Sequence, residues 1–179
     1  ATADQDLTSR KVSFLLQTPQ QDGGQWDMVV SLFEKYGVVP KSVYPESISS
    51  SNSRELNQIL NKLLRQDAQI LRELVAEGAN SSELQAKKEE LLQEVFNFLA
   101  INLGLPPRQF DFSYRDKDNH FHSESGLTPL TFYQKYVDLK LDDYVSIINA
   151  PTADKPYGRS YTVEMLGNVV GSKPVRYLN

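Results

Sequence analysis

Asp22-Gly23-Gly24-Gln25-Trp26-Asp27-Met28, read on through Val29-Val30-Ser31-Leu32-Phe33-Glu34-Lys35-Tyr36-Gly37-Val38 to Tyr44-Pro45, organises the rest of this chain around it. Met28, Val29, Leu32, Phe33 and Tyr36 recur at steps of three and four, which predicts a helix over Trp26–Tyr36 with that face buried. Gly37 stands one residue past its end, where a helix cap favours glycine. Twelve residues separate Gly24 from Gly37 and five separate Val38 from Tyr44. The glycine pair at the front has two readings. An extended peptide can lie against Gly23 and Gly24 because no side chain keeps it away. A tight turn before a helix would use Asp22-Gly23-Gly24 equally well.

Downstream, Asn52 followed by Glu55 fits a capping box, and Leu56, Ile59, Leu60, Leu63, Leu64, Ile70, Leu71, Leu74 and Val75 form an amphipathic stripe running to Gly78. Asn80 with Glu83 repeats the signal, and Leu84, Leu91, Leu92, Val95, Phe96 and Leu99 lead to Gly104. Two long helices joined by Glu77–Asn80 predict an antiparallel hairpin. Past Pro106-Pro107 the pattern changes. Phe110, Phe112 and Tyr114 alternate on a strand, Asp116–Asn119 turns it, and His120–Ser123 returns as the second arm. Thr128-Pro129 opens a short helix to Val137, with threonine as cap and proline at the first position. Tyr144–Ile148, ended by Ala150-Pro151, and Tyr161–Val163 are further strand candidates. Upstream of the glycine pair, residues 6 to 17 read as a helix carrying Leu7, Phe14 and Leu15, stopped at Thr18-Pro19.

Composition narrows the function. The 179 residues suffice for one sizeable core or two small ones. No apolar run approaches the roughly 20 residues a bilayer span needs, and the first residues lack the apolar centre of an export signal. Net charge is −4 without a block of lysine or arginine, so a nucleic-acid partner through this segment is not expected. There is no cysteine, which excludes disulfides and fits a reducing, cytoplasmic setting.

Other candidate chemistry falls short. His120 and His122 share a strand face, but a metal needs a third ligand and neither a cysteine nor a third histidine exists, so a solvated hairpin accounts for them better. Asp116-Lys117-Asp118-Asn119 begins like a calcium loop, yet Phe121 and Leu127 stand where glycine and glutamate are required. Phosphate-binding glycine loops and the serine nucleophile elbow are absent. The Asn80-Ser81-Ser82 glycosylation tripeptide carries little weight. No metal and no cofactor are expected. Trp26 reads as a core residue. Asp22 and Asp27 read as helix-entry acids beside the positive dipole end, with recognition of a free amine as the other use of Asp22.

The spacing from Gly23-Gly24 to Tyr44-Pro45 resembles the papain-like cysteine peptidases. The fuller wording DGGQWDMVVSLFEKYGVVPKSVYPES, and Tyr114-Arg115-Asp116-Lys117-Asp118 after the helical pair, look like the branch of bleomycin hydrolases and bacterial aminopeptidases C. The resemblance implies an α+β fold, mainly helical in this segment. Residues 1–47 would be part of a papain-like domain, 48–107 a helical hairpin insertion, and 108–179 a mixed segment returning to the domain. Gly23 and Gly24 would bind substrate through their backbone. Because a thiol enzyme needs a thiol, the chain reads as an internal piece, with the cysteine before Ala1 and the histidine and asparagine after Asn179. The parent would be a cytoplasmic cysteine aminopeptidase acting on peptides, a homo-oligomer of six subunits with sites facing a central channel. The competing class is a stand-alone, non-enzymatic helical interaction module. A Cys-Trp upstream in the gene, with a His and Asn-Ser-Trp-Gly downstream, discriminates between them.

Overall fold

The computed structural model describes residues 2–21, 23–137, 139–150, 152–163, 166, 171 and 173–179. Along them run helices α1 (Arg10–Gln17), α2 (Trp26–Tyr36), α3 (Ile48–Ser51), α4 (Arg54–Ala76) and α5 (Ser81–Leu103). Strands β1 (Phe110–Arg115) and β2 (Phe121–Leu127), helix α6 (Pro129–Tyr136) and a 3-10 turn at Leu141–Asp143 follow, then strands β3 (Ser146–Ile147), β4 (Ser160–Tyr161) and β5 (Tyr177–Leu178). The class is α+β and mainly helical, as the resemblance implies. Chain contacts separate two compact units, one from the residues before the glycine pair together with Glu46–Leu105, the other from Gly23–Pro45 with Pro106–Asn179.

The first unit is built on the α4–α5 hairpin. Leu56 and Leu60 near the start of α4 pack with Val95, Phe98, Leu99 and Leu103 near the end of α5, so the two helices run antiparallel. Each leucine taken out of water there contributes about 1.5–3 kcal/mol. The Asn80 side chain accepts from the amides of Ser82 and Glu83, and the Glu83 carboxylate accepts from Asn80 N–H at 2.8 Å, closing the expected capping box. The box expected at Asn52 and Glu55 does not form. Residues 48–51 make a separate helical turn, Asn52 ends it, and Ser53 starts α4 without a side-chain cap. The polar side of α4 holds the amino-terminal segment through main-chain carbonyls: Arg72 donates to Thr2 and Gln5, and Arg65 to Gln17 at 3.1 Å. Asn61 exchanges two bonds of 3.0 Å with the Gln20 main chain. The helix expected from residue 6 begins only at Arg10. Asp6 accepts from the Thr8 amide and hydroxyl, making a turn, and Ser9 then caps α1 through the Val12 amide. Asp67 is buried on α4, and burial first, then the charge of Glu94, pushes its carboxyl above the usual value.

The second unit has a core of Phe110, Leu127 and Phe132, with Val38, Val39, Val43, Phe112, Tyr136 and Val137 around it. β1 and β2 pair antiparallel, Tyr114 opposite His122, with an irregularity between Phe110 and Phe112. The returning arm is longer than expected, reaching Leu127. Thr128 caps α6 through the Thr131 amide, with Pro129 in the first turn. β5 at the chain end had no signal in the sequence. It lies between β3, to which it is parallel, and β4, to which it is antiparallel. The Asn179 side chain accepts from Ala150 N–H at 3.0 Å and donates to the Ala150 and Lys155 carbonyls. The strand stop assigned to Pro151 lies outside the described residues.

α2 occupies the expected span, but its inward face differs from the one its apolar periodicity predicts. Asp27, Val30 and Ser31 are buried, whereas Val29, Leu32 and Tyr36 are exposed. Periodicity counts apolar surface, but a carboxylate whose bonding capacity is satisfied can also turn inward.

Candidate functional site

Both glycines of the pair are exposed, immediately before α2. Neither has a φ in the left-handed region, so the backbone there does not require glycine. A Cβ built on Gly23 meets nothing within 4 Å, and one on Gly24 meets only the Met28 side chain, its sulfur at 3.3 Å. Among the described residues, no hydrogen bond engages the main-chain N–H or C=O of either glycine. The result is a short run of exposed main chain whose donors and acceptors meet no partner among the described residues.

The start of α2 anchors that run. Gln25 N–H points to the Met28 sulfur at 3.5 Å. The Trp26 ring is half-buried, 5.5 Å from that of Tyr144, in keeping with its reading as a packing residue. Its Nε1 is buried without a partner among the described residues. Asp27 is 5% exposed. Its carboxylate accepts from the Arg176 amide at 2.8 Å and from the Arg176 guanidinium at 3.3 Å, while Ser31 Oγ donates to the Asp27 carbonyl at 2.7 Å. Sequence reasoning placed Asp27 at the helix entry as a dipole partner and missed this link. Its two ends lie 149 positions apart, and no local pattern marks such a pair. The amine-recognition reading falls on Asp22, which lies outside the described residues.

At its other end α2 closes on α6. Gly37 has φ 74°, and a Cβ there would stand 2.2 Å from the Pro129 carbonyl carbon. The Gly37 amide donates to the Phe33 carbonyl at 2.9 Å, and Val38 N–H donates to the Pro129 carbonyl at 3.1 Å.

The two histidines belong to the β1–β2 turn. Asp116 accepts the Asp118 and His120 amides on Oδ1, both at 2.9 Å, and Oδ2 lies 2.9 Å from His122 Nε2 and 3.5 Å from His120 Nδ1. These bonds, that of His122 foremost, hold the Asp116 carboxyl below its usual range. The His122 ring stacks on Tyr114 at 4.9 Å. Asp116, Asp118 and His120 each bring one ligand-type atom within 4.8 Å of the others. Both histidine side chains are well exposed, and the hydrogen bonds account for the cluster as a turn network. No helix among the described residues is long and apolar enough to cross a membrane.

Comparison with known proteins extends across the whole chain. The model of the Peptidase C1-like family matches residues 1–179. Aminopeptidase C of Streptococcus thermophilus is 78% identical over 179 residues, covering 100% of this chain and 40% of that protein. Aminopeptidase C of Lactococcus lactis is 64% identical over 176 residues, 98% of this chain and 39% of the relative. Bleomycin hydrolase of Gallus gallus is 41% identical over 181 residues, again covering 100% of this chain and 40% of the relative. Among solved structures, the crystal structure of PepW from Lactobacillus rhamnosis matches with a TM-score of 0.95 at 62% identity, over 99% of this chain and 40% of that one. The chain thus spans about 40% of the length of the curated relatives it matches.

Proposed function

This chain belongs to the Peptidase C1-like family, and from that premise we propose that it is an internal segment of a cysteine aminopeptidase that releases amino-terminal residues from peptides. Gly23 and Gly24 supply substrate-binding main chain on one wall of the cleft, and the nucleophile comes from outside these 179 residues, which contain no cysteine. In the parent, residues 1–47 and 108–179 belong to a papain-like domain and 48–107 form a helical insertion. The parent works in the cytoplasm as a homo-oligomer of six subunits, without a cofactor or metal.

One observation carries the substrate role of the glycine pair. Among the described residues the fold makes no demand for glycine at either position: φ lies outside the left-handed region, a Cβ has room or meets only the Met28 side chain, and the exposed main chain meets no hydrogen-bond partner. Gly37, by contrast, is required by both its φ of 74° and the backbone of Pro129 against it. Open main chain without side chains is what an extended peptide needs in order to pair as a strand does.

Gly24→Val in the full-length protein tests this. We expect kcat/KM to fall by roughly 100-fold, because a branched side chain displaces the peptide from its productive position, while the melting temperature stays within a few degrees. Unchanged activity, or failure of the variant to fold, would return the pair to the role of a turn. The 179-residue chain by itself should not cleave an aminoacyl fluorogenic substrate, and steady turnover by pure chain would overturn the assignment of the nucleophile elsewhere.

A further inference from the structure

Ordering an exposed glycine pair, which makes no hydrogen bond among the described residues, against a peptide costs backbone entropy. Binding gains when that main chain is already held in place. A Cβ on Gly23 would meet nothing within 4 Å and one on Gly24 only the Met28 side chain, so the placement of the pair follows from the first turn of α2. Asp27, three residues on, ties that turn to a distant part of the chain at Arg176.

Its burial is informative. An acid in the first turn of a helix interacts favourably with the dipole while fully exposed, and burying a carboxylate is costly unless it is hydrogen-bonded. Asp27 is nonetheless 5% exposed. It binds two different groups of one residue, the Arg176 main-chain N–H at 2.8 Å and the guanidinium Nη2 at 3.3 Å. Arg176 immediately precedes β5, which is hydrogen-bonded on both sides by β3 and β4. A carboxylate held at two points fixes both the position and the rotation of the helix start. Ser31 Oγ on the Asp27 carbonyl and the Trp26 ring against Tyr144 hold the same turn from other directions.

We propose that Asp27 is a positioning residue. By latching the first turn of α2 to Arg176 at the entry to β5, it sets the direction in which the Gly23-Gly24 main chain presents its N–H and C=O groups to a peptide. This rests on the reading of the glycine pair as substrate-binding, and it adds a charged residue that never touches substrate.

The experiment is a set of variants in the full-length protein, read as KM and kcat separately with the melting temperature beside them. Asp27→Ala removes both bonds and should raise KM about tenfold, with kcat changing by less than about twofold. Asp27→Asn keeps an acceptor for the Arg176 amide and should recover most of that loss. A purely structural residue would lower the melting temperature and leave KM of the folded enzyme untouched; that result, or a fall in kcat alone, overturns the proposal. If Asp27→Ala does not fold, Arg176→Ala keeps the main-chain bond and drops the guanidinium. It should raise KM about threefold, and an unchanged KM there is equally fatal. Gly24→Val separates the two levels. If it is silent, the substrate role of the pair fails; if it acts and the Asp27 variants do not, only the positioning role fails.

Discussion

The two ends of α2 carry glycine for opposite reasons. At the carboxyl end, Gly37 is enforced from outside: its φ is 74°, and the backbone of Pro129 and Leu130 leaves no room for a Cβ, with contacts of 2.2–2.3 Å. At the amino end, no close backbone neighbour among the described residues and no left-handed φ enforces Gly23 or Gly24. On the function proposed above, the pair is kept clear of side chains for the peptide, not for the fold. The lesson extends to charge. Asp27 at the amino end is buried and latched, whereas Glu34 near the carboxyl end makes an exposed contact with Lys173 at 3.7 Å.

The largest effect is expected at Gly37. Gly37→Ala combines a left-handed φ with overpacking against α6, and should destabilise by about 3 kcal/mol or more. Urea unfolding reads this directly, and a midpoint equal to that of the parent protein would mean the two ends do not differ. Next comes Trp26→Ala, which removes a half-buried ring packed on Tyr144 and should cost about 2 kcal/mol; a loss below the error of a thermal melt would show that the amino end is not anchored by packing.

Smaller still is Lys173→Ala. Lys173 binds the Asp142 carboxylate at 2.8 and 2.9 Å and holds its carboxyl below the usual value of 3.8. A lowered folded-state value means that the stabilisation is present above the ordinary value and fades as pH falls through the lowered one. The difference between variant and parent protein should therefore be slight at pH 7, because the pair is exposed and screened, and should vanish in acid. A difference that grows on acidification would contradict the pairing. The smallest effect is expected at Gly23→Ala, where a Cβ meets open space: stability should stay within about 0.5 kcal/mol, or rise slightly as the unfolded chain loses freedom. A loss comparable to that at Gly37 would show that Gly23 is itself a structural turn residue.

Much of this was legible along the chain. The limits of α2, the Asn80–Glu83 box, the Thr128-Pro129 entry to α6 and the turn at Asp116–Asn119 are short-range events, settled by bonds between residues at most four apart. The failures share a cause. Asn52–Glu55 has the letters of a capping box, but a competing turn at residues 48–51 takes Asn52 as its end. The face of α2 was misassigned because apolar spacing cannot report a carboxylate satisfied from residue 176. β5 escaped notice because two residues carry no period, and the strand exists only through partners at 146–147 and 160–161.

The sequence by itself determined the family, through the spacing of Gly24, Gly37 and Tyr44-Pro45, and the helical hairpin, through its two stripes. Both are readable because helix periods and caps operate within one or two turns. Only the tertiary structure decided which glycine is a structural necessity and which carboxylate is a latch. Those properties depend on what approaches from distant parts of the chain, Pro129 onto Gly37 and Arg176 onto Asp27, and close approach is a fact of packing that no local pattern encodes.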